Sequence, residues 1–233
     1  MKKIKKILQN SFKFFFYKAF TLFYGNIKGK INSESDSRIK IETIKKENNL
    51  KYKIYKIEKG RLYTDCVHDT AIILDNFIVE GPSFQIRQDN LQHLHYADAK
   101  QNIVFTKGTP RKLRNLNGSI LSLLTGGGGN NNYWHWLFDV LPRLALCSKI
   151  ISLIELDYFL LPAHTKKFQI ESLDHLNIPK NKRLSSEKFR HIKARKLIVT
   201  DHPVVTSGDA TKDIMNIPKW ISQWLKENFL PQN

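Results

Sequence analysis

Cysteine is nearly absent from this chain: Cys66 and Cys147 are the two in 233 residues. No disulfide framework is implied, and a reducing compartment is the natural setting. Acid is short, with 21 Asp and Glu against 38 Lys and Arg for a formal net charge of +17, and residues 1–30 contain none. Long apolar runs are lacking as well. Lys13 and Lys18 interrupt the aromatic N-terminal stretch, so nothing there approaches the roughly 20 residues that cross a bilayer. No small-residue cleavage site follows it, so a removed secretion signal is not expected. Internal repeats are missing too. A hydrophobic content of 41% excludes wholesale disorder and suffices for one large domain or two small ones.

What is present begins with residues 1–30, where eight lysines are interleaved with Phe12, Phe14, Phe15, Phe16, Tyr17, Phe20, Phe23 and Tyr24. Basic residues mixed with large aromatics suit an amphipathic helix lying in the interface of an anionic membrane. A basic helix packed on the domain and a nucleic-acid arm are the other readings, the last weaker because this aromatic density suits lipid better than a phosphate backbone. Residues 31–50 are polar and Ser-rich and read as a linker. From 51 to 115 short alternating runs predict a small β-rich subdomain, with Asp75-Asn76 as a two-residue hairpin turn between Ile72–Leu74 and Phe77–Val79. His93 and His95 alternate there with Asp98 nearby, but no third well-spaced ligand accompanies them and no metal site is assigned. Lys107 to Arg114 form a basic loop, either near a ligand's phosphates or simply solvated.

The densest stretch runs from Ser119 to Ser148. An apolar run (Ile120, Leu121, Leu123, Leu124) predicts a strand; Gly126, Gly127, Gly128 and Gly129 with Asn130 to Asn132 predict a loop; a helix follows. Consecutive glycines let another molecule approach the main chain closely, and amides at a capped helix start favour negative charge. The spacing is not the dinucleotide fingerprint, because the third glycine is missing. His135 and Asp139 are four apart on one helical face, where a carboxylate can orient an imidazole as general base, and Arg143 extends that face. The same pair equally suits the edge of a core stripe formed by Trp136, Leu137, Val140, Leu141 and Leu144. Pro142 predicts a kink or two short helices. Beyond it a strand (157–161), an amphipathic helix (about 165–176), a strand (196–200) and an amphipathic helix (217–230) alternate, which predicts a doubly wound, mostly parallel sheet over 116–215.

Residues 132–144 (NYWHWLFDVLPRL) closely resemble the signature of glycosyltransferase family 61, which includes bacterial proteins of capsular polysaccharide synthesis. The resemblance implies an α/β fold of the glycosyltransferase B type. It implies transfer of a sugar from a nucleotide-sugar to a saccharide or lipid-linked acceptor, with inversion at the anomeric carbon. It assigns His135, Asp139 and Arg143 to catalysis, and Gly126 to Gly129, Asn132, Tyr133 and Trp136 to substrate binding. No cofactor is expected beyond the donor itself. The sequence contains no Asp-x-Asp pair, which agrees with a metal-independent enzyme of that type. The family's later elements, an Arg-rich strand and a His-Gly-Ala turn, have no counterpart here. The chain therefore reads as the first, acceptor-side lobe followed at 216–233 by the start of a connecting helix, with the donor lobe absent and the Trp220/Trp224 stripe left for whatever packs there. The expected location is the cytoplasmic face of the membrane, held through residues 1–30. The alternatives are a non-catalytic membrane-associated fragment or a subunit of a split transferase, with a basic nucleic-acid-binding protein well behind.

Overall fold

The computed structural model describes residues 2–64, 70–83, 88–89, 92–93, 111–124, 132–207 and 210–231. Helix α1 (Lys2–Tyr24) ends at Gly25, whose φ of +77° places it in the left-handed region while its N–H bonds back to the Thr21 carbonyl at 2.9 Å. It is followed by β1 (Gly29–Ile31), β2 (Ile39–Lys45), β3 (Lys51–Glu58), β4 (Arg61–Thr64), β5 (Thr70–Leu74) and β6 (Phe77–Val79). Two-residue strands β7 (Gln88–Asp89) and β8 (Gln92–His93) pair with each other. Then come β9 (Arg114–Ser122), α2 (Tyr133–His135), a π turn (Trp136–Val140), α3 (Pro142–Cys147), β10 (Tyr158–Leu161), α4 (Lys167–His175), β11 (Arg183–Ser185), β12 (His191–Thr200), α5 (Ala210–Met215) and α6 (Lys219–Phe229). No helix among the described residues is long and apolar enough to cross a membrane.

The protein is α/β, built on a mixed ten-stranded sheet ordered β1-β6-β5-β4-β12-β9-β10-β11, with β3 beside β12 and β2 outside β3. Strand β12 is its axis. On one side it runs parallel to β9, which continues parallel to β10 and β11. On the other side its first residues pair antiparallel with β4 and its last with β3. Strands β3 and β4 are thus one long strand interrupted by a bulge at Lys59 and Gly60. Lys59 N donates to Arg195 O at 2.9 Å, and Ala194 N donates to Gly60 O at 3.0 Å. A Cβ on Gly60 would stand 3.0 Å from both Ile57 Cγ2 and Leu197 Cβ, so the bulge closes only around a hydrogen.

Both faces of the sheet are buried, and strand alternation sorts them. Tyr52, Ile54, Leu121, Leu123, Phe159, Leu161 and Ile198 face the cluster that holds α3, Trp136, Leu173 of α4 and Trp220 of α6. On the same face, farther along, Tyr63, Ala71, Ile73 and Ile78 receive Phe20 of α1. The alternate residues (Tyr55, Ile57, Leu62, Ile72, Ile120, Leu160, Leu197, Val199) form a second cluster whose described members come from strands and loops. Burial at roughly 25 cal/mol per Å² on two faces explains the apolar run of β5 and the apolar C-terminal ends of β9 (Ile120, Leu121) and β12 (Leu197–Val199).

Several expectations are met and others corrected. The Asp75-Asn76 turn is present with φ of +47° and +67°, the two positive values a primed hairpin turn requires. Residues 31–50 are not a plain linker: β2 pairs with β3 along its whole length, because Ile39 and Ile41 find the second cluster. The β-rich region 51–115 is not a separate layer, since β3 and β4 hydrogen-bond directly to β12. The sheet is not doubly wound among the described residues, whose core-packed helices share one face. The Trp220/Trp224 stripe is not left open: Trp220 is buried, with its Nε1–H donating to Tyr52 Oη at 3.1 Å, and Trp224 packs partly buried on the same cluster. Cys147 is a buried free thiol that burial pushes up to about 12, and Cys66 lies outside the described residues. So do His95 and Asp98.

Candidate functional site

In a sheet with parallel strands, ligands collect beyond the strands' carboxyl ends, where helix starts and loops converge. Here β9 and β12 are parallel neighbours, so the start of α2 and the loop after Thr200 meet at that end. Gly126 to Gly129 belong to the connection from β9 to α2, which lies outside the described residues.

Helix α2 starts at Asn132, whose side-chain oxygen accepts from Trp134 N at 2.9 Å and from His135 N at 3.5 Å. Pro142 lacks an N–H and cannot accept the ordinary helical register, and the chain answers with a π turn in which Leu141 N donates to Trp136 O at 3.1 Å. Pro142 then becomes the first residue of α3, where its missing donor costs nothing.

Across this turn His135 Nδ1 lies 2.6 Å from Asp139 Oδ2. The carboxylate fixes the proton on Nδ1, which leaves Nε2 a lone pair, and the imidazole side chain is 27% exposed. Asp139 itself is 2% exposed, and its Oδ1 is buried without a hydrogen-bond partner. A second imidazole approaches the same carboxylate from the β12 loop: His202 Nε2 is 3.7 Å from Asp139 Oδ2, beyond hydrogen-bond length. Its Nδ1 accepts from Val204 N at 3.2 Å and Val205 N at 3.0 Å, so its proton sits on Nε2, pointing at Asp139. Burial, with the Arg143 and His135 charges adding to it, pushes His202 down to about 4 against the pull of Asp139. The pair of imidazoles around one buried carboxylate is therefore His202 neutral, His135 able to take a proton at Nε2.

Arg143 does not line this opening. Its guanidinium is buried, Nε donates to Asp139 O at 3.0 Å, and Nη1 donates to Thr200 O at 3.0 Å and Thr200 Oγ1 at 2.9 Å. Burial lowers it to about 10, so it stays charged at neutral pH. The π turn inserts an extra residue, and the residue expected one turn beyond Asp139 on the open face is rotated inward. Arg143 is thus a positioning residue that ties α3 to the end of β12. Trp136, expected to touch substrate, is also a core residue: it is fully buried, with Nε1–H donating to Ser172 Oγ at 2.9 Å. Asn132 is a helix cap. Tyr133 remains outward, its ring edge-on to Phe168 and bordering a groove of about 500 Å³ with Leu137, His175, Leu225 and Phe229. His135 is not in the lining of that groove.

The loop after β12 carries no motif that sequence reasoning singles out, yet it completes the site. Tyr52 Oη donates to Pro203 O at 3.0 Å. Asp201 accepts from Lys53 N at 2.7 Å and Tyr55 Oη at 3.0 Å, and burial raises it above the usual carboxylate range. Asp213 accepts from Thr206 N and Ser207 N, each at 2.8 Å. The signal that could have found the loop is Asp201-His202 directly after the apolar run Leu197–Thr200, polar residues at a strand's carboxyl end. No group of three His, Cys, Asp or Glu side chains able to hold a metal occurs among the described residues.

Comparison with protein-family models, with curated proteins and with solved structures finds no match for this chain.

Proposed function

We propose that this chain is the acceptor-side lobe of an inverting glycosyltransferase of the B type, acting in surface polysaccharide synthesis, and that His135 is its general base. The observation that carries the reading is the His135–Asp139 dyad, with Nδ1 held at 2.6 Å and Nε2 open at the carboxyl end of two parallel strands. The resemblance of residues 132–144, which contain the dyad, to glycosyltransferase family 61 also supports it. In this reading Nε2 takes the proton of an acceptor hydroxyl as that oxygen attacks the anomeric carbon of the donor. The nucleoside diphosphate leaves from the opposite side, and Asp139 stabilises the imidazolium that results. His202 closes the back of the carboxylate, its Nε2 at 3.7 Å from Asp139 Oδ2.

The test measures nucleoside diphosphate release from a panel of nucleotide-sugars, with saccharide and lipid-linked acceptors, by the full chain with a donor-binding lobe supplied in trans. Wild type is expected to turn over at least one pair. His135→Ala should lower the rate by roughly 10²- to 10⁴-fold, the usual contribution of a positioned base. Asp139→Asn should fall nearly as far, because an amide no longer fixes the tautomer. Turnover that survives His135→Ala unchanged would overturn the assignment.

A second reading has an observation of its own. Helix α1 exposes Ile4, Ile7, Leu8, Phe12, Phe14, Phe15, Leu22 and Phe23 beside its lysines, which suits a peripheral membrane segment whether or not the chain catalyses. In that reading the chain is a non-catalytic membrane-associated subunit, and vesicle binding persists while no donor is turned over.

A further inference from the structure

A second cavity, of about 310 Å³, opens beneath the C-terminal end of α1, on the antiparallel half of the sheet and apart from the His135 site. Its wall carries four cations, Arg38, Lys59, Arg61 and Lys193, and one acid, Asp75. Arg38 is already engaged, its Nη2 standing 2.6 Å from both Asp36 and Asp75. Lys59 and Lys193 form no ion pair among the described residues.

Arg61 is the unusual member. It is 9% exposed, and its Nη1 donates to Tyr24 O at 3.3 Å, while Nε and Nη2 are buried with no hydrogen-bond partner. Burial lowers it to about 10, so the guanidinium is still charged at neutral pH. An unpaired buried cation is strongly disfavoured unless a counter-charge meets it. The neighbouring His191 supplies none, being buried and neutral with its own Nε2 unpartnered. Strand register sharpens the conflict, for Arg61 and Lys193 are direct antiparallel partners, and like charges placed opposite each other destabilise a sheet. Lys59 joins them from the bulge, at a φ of +53°. The fold thus gathers cations around two idle guanidinium donors, the geometry that matches phosphate oxygens.

What lies at the mouth of the cavity identifies the source of the phosphate. Phe23 lines it and is 78% exposed, and Leu22 beside it is 83% exposed, at the end of a basic helix anchored by Phe20 against Tyr63 and by Tyr24 Oη accepting from Leu113 N at 2.9 Å. We propose that this cavity binds the phosphate of an anionic phospholipid, with Phe23 and Leu22 entering the acyl boundary and Arg61, Lys59 and Lys193 meeting the headgroup. Helix α1 is then more than a general electrostatic anchor, because its end presents a headgroup-specific pocket.

The experiment is co-sedimentation of the full chain with phosphatidylcholine vesicles, with and without phosphatidic acid. Arg61 is buried, so the exposed pair carries the test: Lys59→Glu/Lys193→Glu is compared with Lys167→Glu/Lys219→Glu, exposed lysines elsewhere that give the same change in net charge. The pocket variant should weaken binding to phosphatidic acid vesicles by about tenfold or more, and the control by far less. Equal losses in the two variants would reduce the effect to general attraction and overturn the proposal. A melting-temperature series with inorganic phosphate at fixed ionic strength separates the sources. If phosphate alone stabilises wild type but not the pocket variant, while vesicle binding is the same for both, the site takes a soluble anion and the lipid assignment fails.

Discussion

Among the described residues burial lowers two arginines, Arg61 and Arg143, to about 10, yet their surroundings are opposite. Arg143 ends among carbonyls of Asp139 and Thr200 and the Thr200 hydroxyl, and it bridges α3 to β12. Arg61 has one long bond to Tyr24 O and two buried nitrogens without a hydrogen-bond partner, in a cavity wall shared with Lys59 and Lys193. Each has a histidine beside it that burial pushes down to about 4: the partly exposed His202 near Arg143, with its Nδ1 accepting from two backbone N–H groups, and the buried His191 near Arg61, with Nε2 idle. A buried charge tied through Nε and Nη1 to backbone carbonyls and a hydroxyl is part of the scaffold. One whose donors point at nothing marks a place where something else is meant to arrive.

The histidines give the largest expected effect. A base whose folded value is depressed is neutral in the native state and binds a proton on unfolding. Stability is therefore full above the ordinary value near 6.5 and falls as pH drops from there toward 4. From pH 7 to pH 5 the two histidines together should remove on the order of 4 kcal/mol, because inside that window each loses about 1.4 kcal/mol for every whole step in pH. Asp201, raised by burial, opposes this only at the acid end. Denaturant midpoints measured across that range check it. Replacing either histidine, by His202→Gln or His191→Phe, should roughly halve the slope; a slope unchanged in one variant would show that histidine to be protonated in the native state.

Next come the arginines themselves. Arg143→Met should cost about 3 kcal/mol, because the carbonyls of Asp139 and Thr200 lose their donor inside the protein. Arg61→Met should cost nothing or stabilise by about 1 kcal/mol, since an uncompensated charge is replaced by an apolar chain of similar length. Equal losses in urea unfolding would erase the contrast between the two sites.

The contrast explains what the sequence could and could not show. The His135–Asp139 pair was legible because a spacing of four survives the π turn, and the Asp75-Asn76 hairpin because its turn chemistry is local. Arg143 was misplaced by the same periodicity: Pro142 announced a break, but the sense in which the break rotates the following residues depends on the π turn's extra residue. Gly60 belongs to a bulge that lets β3 and β4 run as one along β12, a role that its place among short alternating runs does not announce. Nothing local marked residues 31–50 as holding a strand, for β2 gains its partner only when β3 is already in place. The Arg61 cavity was invisible for the same reason. Lys193 lies more than a hundred positions from Lys59 and Arg61 and meets them only through the β4–β12 register.

The smallest effect probes how finely the Arg143 side is built. Asn132 caps α2 through one strong bond to Trp134 N and a longer one to His135 N. Asn132→Ala should cost about 1 kcal/mol, and Asn132→Gly only a few tenths, because glycine keeps the capping backbone accessible to water. Asn132→Asp should hold stability at its wild-type level and leave the His135–Asp139 geometry intact. If the sugar-transfer reading is right, Asn132→Ala also lowers turnover more than it lowers stability, since the first turn of α2 is what aims Nε2. A cap mutation that unfolds the chain no further than expected and leaves turnover untouched would show that the π turn and Asp139 alone hold His135 in place.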